Sequence, residues 1–269
     1  MTPSISRHRR PIPGWEDRLH DYEVRSPVAG IASRTVTVLV PPGYHRAAAA
    51  GTRFPVMYLH DGRNCLDHDA FGHGGWQVHT VAHDLIHEGR MAPAIFALVD
   101  HDPAHRPAEL VPQKGRAPGP TAEAYLDFLE RAVVPLVEAS YRTLPGPAHR
   151  GLGGSSFGAL LSLYGAWTRP SLWGVVMAMS PAFAYDFAGQ VARETPPKRP
   201  LRIYLDSGTT DPYGGDDGMV ETLRLRDLLV QRGWVLGDDL QHTIGQGDDH
   251  NETFWRARLP RALPFLFPP

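Results

Sequence analysis

A short glycine-rich segment, residues 151–158, constrains the fold of this chain more than any other feature of its sequence. It contains Gly154-x-Ser156-x-Gly158 and runs directly into an apolar stretch over residues 159–164. The residues before it predict a short strand, and those after it predict a helix. A sharp strand-to-helix turn needs small residues on both sides of its central residue, whose side chain it holds clear of the backbone. The segment therefore predicts an α/β fold with Ser156 at the tip of such a turn.

A dinucleotide-binding loop is the main alternative for a glycine-rich turn of this kind. That loop requires G-x-G-x-x-G, but Gly151-x-Gly153 is followed by Ser156 at the position of the third glycine. Ser155 lacks the two flanking glycines that Ser156 has, so we expect Ser155 to be only a small neighbour. Ser156 is the candidate nucleophile.

Strand-like and helix-like segments alternate along the rest of the chain. Apolar runs predict buried parallel strands at residues 55–60, 94–99, 173–179 and 201–206, and residues 34–40 predict an earlier strand that pairs with residues 21–24. Helices are predicted at residues 76–87, 122–140 and 218–232 and directly after Ser156. The pattern predicts a mostly parallel, twisted sheet with helices on both faces. Two glycine- and proline-rich loops, residues 101–120 and 209–218, are expected to border the site.

Composition narrows the class of partner. The 269 residues predict one catalytic domain, residues 18–269, after a flexible tail, residues 1–17. Lys and Arg number 27 against 29 Asp and Glu, a net charge of -2, which disfavours nucleic acid. No apolar run is long enough to span a bilayer, so we expect a small-molecule partner and no membrane. The single cysteine, Cys65, cannot form an internal disulfide, and together with the absence of a secretory signal it predicts a cytoplasmic protein.

A serine nucleophile needs a histidine to accept its proton and a carboxylate to orient that histidine. In α/β-hydrolases both follow the serine, with the acid first. After Ser156 the sequence offers only His242, inside a predicted strand, and His250, in a polar loop before the last helix. His250 is the predicted base.

The acid is expected on the loop that follows the predicted strand 201–206. Asp211 lies a few residues past the strand end and is the favoured candidate. Asp206 is the nearest rival, and Asp216 and Asp217 fit better as a helix cap.

Three histidines spaced four residues apart raise the question of a metal site. His79, His83 and His87 lie on one side of a predicted helix, and Val78 and Leu85 belong to its apolar face. We therefore expect these histidines on the solvated side, with no metal and no cofactor.

Several motifs in this order resemble the esterase family of α/β-hydrolases that includes enterochelin esterase-like, esterase D-like, feruloyl and acetylxylan esterases and mycobacterial mycolyltransferases. They cover nearly the whole chain from Val36 onward and comprise Tyr58 to Asn64, Gly75-Trp76, Arg106 to Glu109, Tyr141 to Thr143, Gly154 to Gly158, Ser180-Pro181, and His250 with Trp255. The resemblance implies an α/β-hydrolase fold and an oxyanion hole made by the backbone amides of Phe157 and Arg63. It also supports Asp211 as the acid. Trp255 is a candidate pocket residue.

These residues together predict a serine esterase that works through an acyl-enzyme on a small-molecule ester. Acyl transfer to an alcohol in place of water is the first alternative, because the same triad serves both. A non-catalytic binding protein that keeps the fold is the second. Pocket shape decides the acyl and alcohol groups, and it depends on loops that the sequence does not fix.

Overall fold

Eight strands form one sheet in the order β1-β2-β4-β3-β5-β6-β7-β8. The computed structural model describes residues 12–68, 72–112, 121–183, 196–212 and 214–269. The strands are β1 (Leu19–Val24), β2 (Arg34–Leu39), β3 (Val56–Leu59), β4 (Ile95–Val99), β5 (Arg150–Ser156), β6 (Val175–Pro181), β7 (Arg202–Gly208) and β8 (Leu240–Gly245). Strands β3 to β8 run parallel, and β2 is antiparallel to both β1 and β4. The predicted pairing of the first two strands is confirmed, with Tyr22 opposite Val36.

Helices cover both faces of this sheet, as the sequence predicts. In the described parts of the chain they are α1 (Tyr44–Ala49), α2 (Val78–His87), α3 (Arg106–Leu110), α4 (Ala122–Phe128), α5 (Val134–Ser140), α6 (Phe157–Thr168), α7 (Met219–Gln231) and α8 (Glu252–Leu266). A π-helical turn, Leu129–Val133, joins α4 to α5, so the predicted helix 122–140 is nearly continuous. Side chains of Thr121 and Asn251 cap α4 and α8 by accepting backbone N–H bonds.

The two faces carry separate apolar cores because neighbouring residues of a strand point in opposite directions. Val56 and Tyr58 of β3 belong to the core under α4, α6 and α7, whereas Met57 and Leu59 belong to the core under α2 and α8. The α/β-hydrolase fold predicted from the sequence is confirmed, with a mostly parallel sheet. None of the helices in the residues covered by the structure combines the length and apolarity needed to cross a membrane.

The N-terminal segment changes one expectation about the surface. Residues 1–11 of the predicted flexible tail lie outside the described residues, but Trp15 stacks edge-on against His79 with ring centroids 4.7 Å apart. His79 is therefore buried, at 2% exposure, where the sequence predicted a solvated side chain. The helix pattern alone missed this, because a segment more than 60 residues earlier covers that face of α2.

Candidate active site

Ser156 is the last residue of β5 and lies at the tip of the predicted turn. Its φ of 55° and ψ of -121° are a conformation that residues other than glycine adopt only under strain. A Cβ at Gly154 would lie 3.0 Å from the backbone of Gly158, and a Cβ at Gly158 would lie 3.1 Å from the Cβ of His60. Both distances are shorter than ordinary van der Waals contact. A side chain at either position would therefore require the neighbouring atoms to shift by a few tenths of an ångström.

His250 lies in the turn between β8 and α8, at the same edge of the sheet as Ser156. Its Nδ1 is 2.5 Å from Oδ1 of Asp217, and the Asp217 side chain is fully buried. The ring of Trp255 supports the histidine edge-on, with centroids 5.0 Å apart. The structure thus gives the predicted base a carboxylate partner and a fixed ring orientation.

The hydrogen-bonded partner of His250 is Asp217, whereas the sequence favoured Asp211. Asp211 lies in the same cluster, where one ligand atom from each of these three side chains is within 4.8 Å of the others. The reason for the difference is local. Asp216 accepts the N–H groups of Gly218 and Val220 at the start of α7, so it takes the capping role that the sequence assigned to both acids. Asp217, at a φ of 54°, turns inward.

The second oxygen of Asp217 is also bonded. Oδ2 accepts the hydroxyl of Ser180 at 2.6 Å and the backbone N–H of Gly208 at 2.5 Å. Asp206, the rival acid, is instead bound by the guanidinium of Arg258, with Nε 3.0 Å from Oδ2. Asp206 is thus a structural anchor, and Asp217 alone of these two acids reaches the histidine.

Trp255, the candidate pocket residue, is buried beside His250. It is 5% exposed, and its indole N–H donates to Ser180 Oγ at 3.0 Å. This position makes it a support for His250, and a contact with substrate stays a prediction.

A tight turn after β3 approaches Ser156 from the other side. Strands β3 and β5 are neighbours, and the N–H of His60 donates to the carbonyl of Gly153 at 2.9 Å. The following residues, Gly62–Cys65, form a 3₁₀ turn after Asp61, whose φ is 56°. A Cβ at Gly62 would lie 2.6 Å from the carbonyl carbon of Leu98, so only glycine fits.

Buried charges hold this turn in place. Arg106 donates from two nitrogens to Asp61, at 2.7 and 2.8 Å, and His101 Nδ1 lies 2.8 Å from Asp61 Oδ1. Burial alone would raise the pKa of Asp61, but Arg106 and His101 outweigh it and hold that pKa below its usual range. The Arg106 guanidinium also lies over the ring of Phe157, 5.2 Å from its centroid. The carboxylate therefore remains charged and links the turn to the start of α6.

The predicted oxyanion donors lie on these two elements. Phe157 is the first residue of α6, and Arg63 is the second residue of the 3₁₀ turn. The Arg63 side chain is 61% exposed and bonds Asp100 at 2.9 Å. Backbone N–H groups at the starts of helical turns carry partial positive charge, which suits a developing anion. Their role in stabilising an oxyanion stays a prediction.

The loop 101–120 contributes in part as expected. Its described portion contains α3, which carries Arg106 to the site, and residues 113–120 lie outside the described chain. Sequence reasoning missed Ser180 and Arg258 as site residues. The Ser180-Pro181 pair was a visible signal for the first, but nothing local marks Arg258.

Residues 31–266 match the family described as Putative esterase. The uncharacterized protein YbbA of Bacillus subtilis (strain 168) is 20% identical over 249 residues, which are 87% of this chain and 93% of that protein.

Solved structures share the fold at low identity. The enterobactin esterase FES from Shigella flexneri superimposes with a TM-score of 0.70 at 20% identity, covering 98% of this chain and 61% of that one. This chain thus spans about three fifths of that enzyme. The ferulic acid esterase from Anaeromyces mucronatus gives a TM-score of 0.66 at 20% identity, covering 98% and 96%. An IroE-like serine hydrolase from Shewanella oneidensis gives 0.70 at 18%, covering 93% and 80%.

Proposed function

This chain belongs to the esterase family, and from that premise we propose that it hydrolyses a carboxylic ester through an acyl-enzyme on Ser156. The observation that carries the proposal is the hydrogen bond from His250 Nδ1 to buried Asp217, at the edge of the sheet where the strained turn presents Ser156. A carboxylate in that position keeps the proton on Nδ1 and leaves Nε2 free to act as a base.

The reaction begins when His250 takes the proton of Ser156 and the serine oxygen attacks the ester carbonyl. The backbone N–H groups of Phe157 and Arg63 stabilise the resulting oxyanion, and each such donor contributes roughly 3 kcal/mol. As the tetrahedral intermediate collapses, the ester C–O bond breaks and His250 returns the proton to the leaving alcohol. Water then repeats the sequence and releases the acid from Ser156.

The substrate in this proposal is a small-molecule ester. Among the similar structures, an enterobactin esterase was solved in the presence of enterobactin and a ferulic acid esterase in complex with ferulic acid. The neighbouring turn, with Asp61 and Arg106 paired, adds no excess charge that would demand a charged acyl group.

Replacement of the two adjacent serines tests the nucleophile. Ser156→Ala is expected to abolish hydrolysis of a p-nitrophenyl ester and to prevent labelling by a fluorophosphonate, because the attacking hydroxyl is gone. Ser155→Ala is the matched control, since Ser155 is also on β5 and its side chain is buried. It should keep both properties.

Undiminished hydrolysis by Ser156→Ala would contradict the proposal. Product analysis with an added alcohol separates hydrolysis from acyl transfer, because only the transferase makes a new ester as its main product. A wild-type protein that is neither labelled by the fluorophosphonate nor active on the p-nitrophenyl ester would indicate a binding protein.

A further inference from the structure

Ser180 lies at the end of β6, next to the strand that carries the nucleophile. It is completely buried and has a φ of 43°. In the sheet, the residue after it, Pro181, is opposite Ser156. Its hydroxyl lies among three side chains that approach from different elements, namely Asp217, Trp255 and Arg258. A buried hydroxyl with three partners is confined to few orientations, so its proton can be located by elimination.

Two of these three partners can only donate. The indole N–H of Trp255 is 3.0 Å from Ser180 Oγ, and a guanidinium nitrogen of Arg258 is 2.8 Å from it. Neither group has a lone pair that could accept a hydrogen bond. They therefore use the two acceptor positions of the hydroxyl, and its single proton must point to the third partner. That partner is Asp217 Oδ2, at 2.6 Å.

The position of Ser180 is itself fixed through Asp206. The backbone N–H of Ser180 donates to Asp206 Oδ1 at 3.0 Å, and Arg258 Nε donates to Asp206 Oδ2 at 3.0 Å. Arg258 also reaches Asp248, in the turn that precedes His250, at 2.7 Å. One arginine thus ties the backbone at β6, the end of β7 and the histidine turn into a single assembly.

We propose that Ser180 is a positioning residue for the ester hydrolysis proposed above, with its one hydroxyl proton committed to Asp217 by Trp255 and Arg258. The inference rests on the proposed function. Because Ser180 and the Gly208 N–H hold Oδ2, the other oxygen of Asp217 is presented to His250 Nδ1. The carboxylate cannot rotate away, and its bond to Nδ1 fixes the ring orientation of His250. The indole N–H of Trp255 and the Arg258 nitrogen bonded to Ser180 Oγ act on Asp217 through that hydroxyl.

Ser180→Ala tests this role. Loss of one hydrogen bond to a charged group is expected to lower kcat about ten- to a hundredfold, with KM nearly unchanged. The hydrogen-bonded Nδ1 proton of His250, observed as a low-field proton NMR resonance, should move or broaden. Ser207→Ala is the matched control, because Ser207 is equally buried on β7 but, among the described residues, its hydroxyl bonds only Thr222. It should leave kcat and the resonance as in the wild type.

A double-mutant cycle separates a directed contact from a general loss of packing. Trp255→Phe keeps an aromatic ring beside His250 and removes the indole N–H. It should lower kcat in the wild-type background and have little further effect when Ser180 is already alanine, because that N–H acts through the hydroxyl. If Ser180→Ala does not fold, Ser180→Gly removes the same hydroxyl with a residue that the positive φ favours.

Two results would overturn the inference. One is that Ser180→Ala keeps the same kcat and the same low-field resonance as Ser207→Ala. The other is full additivity of Ser180→Ala and Trp255→Phe. Failure of the proposed function is distinguishable, since it would appear as an active Ser156→Ala regardless of Ser180.

Discussion

Two clusters of charged side chains flank Ser156, and their charges are arranged differently. The histidine side comprises Ser180, Asp206, Asp217, Asp248, His250 and Arg258, and the turn side comprises Asp61, Arg63, Asp100, His101 and Arg106. On the histidine side, one guanidinium is shared by three carboxylates. On the turn side each carboxylate has its own arginine, Asp61 with Arg106 and Asp100 with Arg63.

This difference matches the charges that the proposed reaction creates. A histidine that takes a proton becomes positive, and an excess of carboxylates around it favours that state. An oxyanion is negative, and a balanced neighbourhood leaves the backbone N–H groups to stabilise it without a nearby repelling charge. The imbalance has a cost, because burial raises the pKa of Asp206 although Arg258 opposes it. We therefore expect substitutions on the histidine side to impair proton transfer and substitutions on the turn side to impair stabilisation of the oxyanion.

The largest effect is expected on the histidine side, from Asp217→Asn. An asparagine amide can donate to Nδ1 and so favours the imidazole tautomer with its proton on the wrong nitrogen. We expect kcat/KM to fall by about 10⁴ in steady-state assays of an aryl ester.

Asp211→Asn is the matched control for that substitution. Asp211 lies close to the same histidine, but the hydrogen bond at Nδ1 is made by Asp217. Its kcat/KM should stay close to that of the wild type. If kcat/KM fell in Asp211→Asn and not in Asp217→Asn, Asp211 would be the acid. The proposed role of the histidine side would then be wrong.

The turn side should respond next most strongly, to Gly62→Ala. The added Cβ would meet the Leu98 backbone at 2.6 Å, so the 3₁₀ turn and the Arg63 N–H must move. Loss of one oxyanion donor lowers kcat by roughly 10² to 10³. Gly215→Ala is the control, because the nearest atom to its Cβ would be 3.6 Å away. Equal kcat values for the two variants would rule out this turn as a source of the oxyanion donor.

The smallest effect concerns stability and comes from His60, which packs below the turn side. Its pKa is lowered to about 4, chiefly by burial. The unfolded chain has the ordinary value, near 6.5, so it binds a proton more readily between these two values. The stabilisation from neutral His60 is complete above about pH 6.5, is lost as the pH falls toward 4, and amounts to up to about 3 kcal/mol.

His60→Gln should remove this part of the pH dependence. Urea unfolding at about pH 6.5 and about pH 4 measures this pH dependence. The quantity compared is the free energy of unfolding at the higher pH minus that at the lower pH. His149→Gln, at an exposed position, should leave the difference unchanged. An equal difference in His60→Gln and in the wild type would mean that His60 is protonated in the folded state, and the turn side would then carry an additional positive charge.

The local parts of the site could be predicted from the sequence, and the parts that depend on distant contacts could not. Ser156 was recognisable because the steric demands of its turn are met by residues two positions away. His250 followed from chain order. Asp217 ranked behind Asp211 in the sequence because three acids occupy one loop, and only the start of α7 shows that Asp216 caps the helix while its neighbour turns inward.

Burial by distant segments also could not be predicted from the sequence. The apolar pattern of α2 predicts an exposed His79, as it would be in the isolated helix. In the structure Trp15 covers this side chain. Trp255 became a candidate pocket residue through the resemblance to the esterase family. Its indole N–H points to a serine 75 residues earlier, a partner that no spacing within the helix could indicate.

Four residues other than glycine have a positive φ at the edge of the sheet where Ser156 lies: Asp61, Ser156, Ser180 and Asp217. Among the described residues only Gln77 shares that conformation. Each costs of order 1–3 kcal/mol that glycine would largely recover. A laboratory selection for heat resistance alone would therefore reward glycine at positions on which the proposed reaction depends. Efforts to make this protein more robust should leave these four positions fixed and look for stability elsewhere.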